Sequence, residues 1–111
     1  MGFFFNLGNQ INKKLSDMQQ ESDKAQEIAK NMDNYYICRK IQQSMSMGQR
    51  NGYMKELKNR IEDMNDYELK NIFKDCCQSK LVYACNLIAQ ELSERGYMEK
   101  VDGKWKKIGQ W

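Results

Sequence analysis

The chain has 111 residues, with 18 basic against 15 acidic side chains, no proline and no histidine. That length gives one domain with room for an apolar core, and the missing histidine removes the commonest general base and metal ligand. A net charge of +3 is weaker than the footprint of a dedicated nucleic-acid binder, and it is uneven: residues 35–65 carry +3 and 97–111 carry +2, while 1–34 and 66–96 carry −1 each.

The opening MGFFFNLGNQINKKLSDMQQ places Phe3, Phe4 and Phe5 ahead of Leu7, Ile11, Leu15 and Met18, which recur at steps of four, four and three. That spacing is one face of a helix. The stripe thins to Ala25, Ile28, Ala29 and Met32. It predicts a long amphipathic helix from about residue 7 to about residue 31, broken near Ser22. Residues 1–32 read as a helical arm on a body of 33–111, all in a single domain. A run of three phenylalanines suits docking on the body, a protein contact, or the surface of a membrane. Gly2 suggests N-myristoylation, but that motif wants Ser or Thr where Asn6 stands.

Tyr35, Cys38, Ile41 and Met45 mark a second helix, expected to end near Gly48. The run GQRNG, Gly48 to Gly52, has turn composition. Met54, Leu57, Ile61 and Met64 mark a third helix. Asn65 with Glu68 has capping-box spacing and starts a fourth helix, apolar at Leu69, Ile72 and Phe73. A fifth, capped at Gln78 or Ser79, carries Leu81, Val82, Cys85, Ile88, Ala89 and Leu92 and stops at Gly96. Asp102-Gly103 predicts a type I′ hairpin pairing Val101 with Lys104, Lys100 with Trp105, Glu99 with Lys106, and Tyr97 with Ile108. The fold class is mainly α: four to five helices, a long N-terminal arm, and a C-terminal two-stranded hairpin.

No glycine-rich phosphate loop, Cys/His pair or partnered carboxylate pair is visible, so neither catalytic residues nor a cofactor are expected, and no small-molecule substrate. Cys38, Cys76, Cys77 and Cys85 lack the C-x-x-C spacing of a zinc site, so no metal is expected. Without a signal peptide, a reducing cytoplasm and buried free thiols are the expectation.

Residues 66–108 run helix, tight turn, longer helix, then ERGYMEKVDGKW. This order resembles a winged helix-turn-helix domain. The resemblance implies a recognition helix presenting Lys80, Tyr83 and Asn86 to bases, with wing lysines Lys100, Lys104, Lys106 and Lys107 on phosphates. A middle cluster of Arg39, Lys40, Lys55 and Lys58, with Arg50 and Arg60, would extend that footprint. Against it, the helix offers one lysine in its first two turns, where arginine or lysine to guanine is the commonest specific contact.

The favoured expectation is therefore a small non-enzymatic protein acting by protein–protein contact or self-association. Its anchors would be Phe3, Phe4, Phe5, Trp105 and Trp111, since tryptophan leads among interface hot spots. Chains of this size and composition resemble accessory proteins of bacteria and their phages, some of which inhibit host machinery. A winged-helix DNA-binding regulator is the alternative, and a membrane-surface protein the second alternative.

Overall fold

A computed structural model describes the backbone from Gly2 to Trp111 and the side chains from Lys14 onward. Five helices precede one hairpin: α1 (Gly2–Ala29), α2 (Asn34–Gln43), α3 (Met47–Asp63), α4 (Asp66–Gln78), α5 (Val82–Glu94), β1 (Met98–Val101) and β2 (Lys104–Lys107). The core is built from Ile37, Cys38 and Ile41 of α2, Leu57 and Ile61 of α3, Leu69 and Cys76 of α4, and Ala84, Ile88 and Leu92 of α5. These positions follow the three-and-four spacing by which a helix buries one face.

The expected break near Ser22 is absent. α1 runs through it, and Ser22 is buried against α3. The expected turn over GQRNG is also overturned: Gly48 and Gly52 lie in the first turns of α3 and are buried. Glycine disfavours a helix by about 1 kcal/mol relative to alanine, so the local composition read as a turn. Tertiary contact reverses that preference. A Cβ on Gly52 would clash with the Ser22 carbonyl and lie 2.7 Å from the Ala25 Cβ; one on Gly48 would lie 2.8 Å from the Glu21 Cβ. The two glycines, four residues apart on one face, let the α1 and α3 backbones approach closely. α2 accordingly ends at Gln43, and Ser46 becomes the N-cap of α3, accepting from the Gln49 N–H at 3.2 Å.

Three arginines close three helix ends. Arg60 donates to the carbonyls of Ala29 (2.9 Å) and Met32 (2.6 Å) at the end of α1. Arg50 donates to Ile41 O (3.1 Å) and Ser44 O (3.0 Å) at the end of α2. Arg95 donates to Ile61 O (3.0 Å) and Met64 O (2.8 Å) at the end of α3. The last carbonyls of a helix have no partner within it and carry the negative end of its dipole, so a guanidinium satisfies both needs.

Asn65 is the expected N-cap, its side chain accepting from Glu68 N–H at 2.8 Å; the return bond to Glu68 Oε1, 2.7 Å, comes from the Asn65 side-chain amide, where a capping box uses the backbone N–H. α5 departs from expectation. It starts at Val82, after Leu81, with no side-chain cap, and Lys80 holds a positive φ of 57° in the turn before it. Gly96 takes the expected left-handed conformation, φ 87°. Asp102 and Gly103 take the positive φ of the predicted turn, and all four of the hairpin's Cα pairs from Met98↔Lys107 to Val101↔Lys104 have the expected register. The Ile108 N–H donates to Tyr97 O at 2.8 Å, extending it by one pair.

Candidate interaction surface

α1 and α3 run in the same direction. Gly48 meets Met18 and Glu21, Gly52 meets Ser22 and Ala25, and Arg60 meets the end of α1. α3 begins at Met47, so the part of α1 before Met18 extends past it. The consequence is visible from Lys14 to Asp17, all exposed, with Leu15 at 60% exposure. Ser22, Ala25 and Ala29 of the same stripe are buried. The molecule is correspondingly elongated, 62 × 35 × 23 Å.

The end of the body beside this projection is also apolar. The α2–α3 connection carries Met45 at 97% exposure and Met47 at 67%. Ser46 between them donates to Glu21 Oε2 at 2.8 Å, which holds this connection against α1. Arg50, closing α2 here, stacks 4.2 Å from the centre of the exposed Tyr83 ring, and Val82 beside it is exposed. Leu15, Met45, Met47, Val82 and Tyr83 thus sit at one end of the molecule. Clustered exposed apolar side chains mark contact surfaces, and methionine adapts its shape to a partner better than branched residues do.

Phe3, Phe4 and Phe5 lie outside the residues whose side chains the structure describes. Trp105 and Trp111 are half-buried on their own body. The Trp111 ring centre is 5.8 Å from that of Phe73, and its indole N–H donates to Tyr97 O at 3.2 Å. Much of each indole is therefore already covered by the chain itself.

The basic residues have differing surroundings. Arg50 and Arg60 are engaged at helix ends. The Lys40 ammonium lies 5.4 Å from the Tyr36 ring centre. Lys58 lines a groove with Glu62, Glu91 and Glu94, where burial pushes the Glu91 carboxyl above its usual range, against the pull of Arg95. Arg39 and Lys55 are exposed. Lys80, Tyr83 and Asn86 stand at the start of α5, while the hairpin leaves from its other end, about 20 Å away at 1.5 Å per residue. On the hairpin, Lys100 lies 5.3 Å from the Trp105 ring and Lys107 4.6 Å from that of Trp111; Lys104 and Lys106 are exposed, with Lys106 opposite Glu99.

The thiols also differ from expectation. Cys38 and Cys76 are buried, but Cys77 is exposed and Cys85 half-buried. Among the described residues, no group of three or more Cys, Asp or Glu side chains is placed to hold a metal ion. No helix of the described residues is long and apolar enough to cross a membrane.

No family model matches the chain, and neither a curated protein nor a solved structure matches it.

Sequence reasoning did not find Met45, Met47 or Val82 as surface residues. Met45 and Val82 continue apolar stripes in the sequence, and nothing local says that the stripe outruns the body. The missed signal was the Gly48/Gly52 spacing, which fixes where α3 meets α1.

Proposed function

We propose that this chain is a non-enzymatic interaction protein working by protein–protein contact, with the α1 arm as its contacting element and a second copy as its first partner. One observation carries the reading: the stripe that buries Ser22, Ala25 and Ala29 on α3 continues to an exposed Leu15, a turn ahead of where α3 begins. Leu15, Met18, Ser22, Ala25 and Ala29 alternate at three and four residues, the repeat by which one helix seats against another. In the sequence the same spacing extends back to Ile11. A partner helix would complete the seam, and a two-fold axis lets each arm serve the other. No charged side chain occurs before Lys13, so arms paired across that region oppose no like charges.

Sedimentation equilibrium of the full chain and of Leu15→Glu tests this. Leu15 is exposed, so the variant folds as the parent does. The expected result is self-association at micromolar concentration that the variant loses. A parent that remains monomeric, or a variant that associates equally, removes self-pairing through this seam.

A second reading, a winged-helix DNA-binding regulator, is favoured by the four exposed lysines of the hairpin and the helix-turn-helix order of α4 and α5. Its weak point is α5 itself, which offers Val82, Tyr83, Asn86 and Gln90 outward from its first turns. One lysine at its start is a thin basis for reading bases.

A further inference from the structure

Two of the four cysteines meet at the surface. Cys77 lies at the end of α4 and Cys85 in the first turn of α5, and their Sγ atoms are 3.4 Å apart across the Ser79-Lys80-Leu81 turn. A disulfide has its sulfurs about 2.05 Å apart, so the two side chains together would close roughly 1.4 Å. Solvent reaches Cys77, while Cys85 is half-covered. Cys38 and Cys76 sit in the core at 0% exposure, out of reach of a dissolved oxidant.

We propose that Cys77 and Cys85 form an oxidative modification site, which a peroxide converts to a disulfide tying the end of α4 to the start of α5. In the first step the exposed Cys77 sulfur takes one oxygen from the peroxide, becoming a sulfenic acid as the rest of the oxidant leaves as water or alcohol. In the second, the Cys85 sulfur displaces that oxygen. The S–S bond forms, the S–O bond breaks, and the hydroxyl leaves as water with the Cys85 proton. The two thiols lose two electrons and two protons in all, and the peroxide is reduced by two electrons.

Access assigns the order, since the sulfur that solvent touches is attacked first. Burial, and then the contact with Cys77, push the Cys85 thiol up to about 12, so Cys85 is not the sulfur that the peroxide oxidises first. The hydrogen bond to Cys38, and then burial, hold Cys76 protonated. Val82 and Tyr83 open α5 within the linked segment, so oxidation would act on the same apolar end while standing independently of what that end binds.

The test treats the full chain with hydrogen peroxide, blocks remaining thiols with N-ethylmaleimide under denaturing conditions, and digests with trypsin. The expected product joins 75–80 to 81–95, two hydrogens lighter than the separate peptides. Free thiols fall by half, from four per chain to two, with Cys38 and Cys76 recovered as alkylated residues. Cys77→Ser, an exposed substitution, removes the joined peptide, and Cys85→Ser leaves Cys77 trappable by dimedone. A joined peptide that persists in Cys77→Ser makes Cys76 the partner and overturns the assignment. Oxidation of wild-type Cys77 to sulfinic or sulfonic acid without any joined peptide overturns it equally.

Discussion

At Gly52 an added methyl would lie 2.7 Å from the Ala25 Cβ and 3.0 Å from the Gln26 backbone nitrogen, besides clashing with the Ser22 carbonyl. Backbone cannot yield as a side-chain tip can. Gly→Ala within a helix ordinarily stabilises by about 0.5–1 kcal/mol. Gly52→Ala is expected to reverse that sign and cost about 1–3 kcal/mol, the range for overpacking a close contact. Gly48→Ala is expected to cost less, because its two nearest neighbours belong to the Glu21 side chain, at 2.7 and 2.8 Å, and the nearest backbone atom, Met18 O, is 3.0 Å away. Urea unfolding of both variants reads this, and a Gly52→Ala protein as stable as the parent would mean that α1 is not held by the close approach. A second residue-scale prediction concerns Asp66. Its carboxylate accepts from the Tyr97 hydroxyl and from Arg95 at 2.9 Å, and these bonds, Tyr97 first, hold it below the usual carboxylate range. A lowered folded pKa gives stability that is present above the unfolded value, about 4, and lost as pH falls through the folded one. Tyr97 has the opposite sign: Asp66 raises it, so its contribution is present below about 10 and lost as pH rises through the raised value. The stability gap between parent and Asp66→Asn is therefore expected to be level from pH 5 to 8 and to shrink below about pH 4. A gap that widened on acidification would contradict the pairing.

α1 divides its residues between two tasks. Its last turns are held on the body by Ser22, Ala25 and Ala29 against α3 and by Arg60 at its end. From Lys14 to Asp17 its side chains are exposed. Deleting residues 1–14 is therefore expected to leave the melting temperature of the body within a few degrees of the parent, a change of well under 1 kcal/mol on the usual scaling, while removing self-association. Circular dichroism melts of the two chains check the first part and sedimentation the second. A large drop in melting temperature would show that the arm supports the body rather than serving a partner. Ser22 belongs to the anchored part: its hydroxyl is buried with no hydrogen-bond partner. That packing needs small size more than polarity, and it explains why a residue read as a break became a contact.

The whole molecule has two unlike ends. One holds the projection of α1 with Leu15, Met45, Met47, Val82 and Tyr83; the other holds the hairpin, the end of α5 and the Asp66–Tyr97–Arg95 contacts. Lys58 faces three glutamates, and Arg50, Arg60 and Arg95 are satisfied at helix ends inside the fold. Fluorescence anisotropy of a labelled random-sequence duplex is accordingly expected to show no tight binding at about 50 mM salt. Binding that falls by orders of magnitude between about 50 and 200 mM would instead make the hairpin lysines a phosphate footprint and favour the winged-helix reading.

Local chemistry was enough for several features. Asn65 with Glu68, Gly96, and Asp102-Gly103 each satisfy nearby backbone groups or admit a positive φ whatever the rest of the chain does, so the start of α4, the end of α5 and the hairpin register were legible residue by residue. So was the apolar periodicity that makes the fold mainly α. Where an apolar stripe finds its partner was not legible, because periodicity records which face a helix buries and not how far the opposing helix extends. GQRNG looks like a turn until α1 lies against it, and Leu15 looks like core until α3 stops short. Arg50, Arg60 and Arg95 look like solvated charge until the ends of other helices arrive beside them. Cys77 and Cys85 became neighbours only through the turn at Lys80. Each of these depends on contacts between segments distant along the chain or on the geometry of a turn, and such contacts reverse local preferences of about 1 kcal/mol with packing effects of equal or larger size.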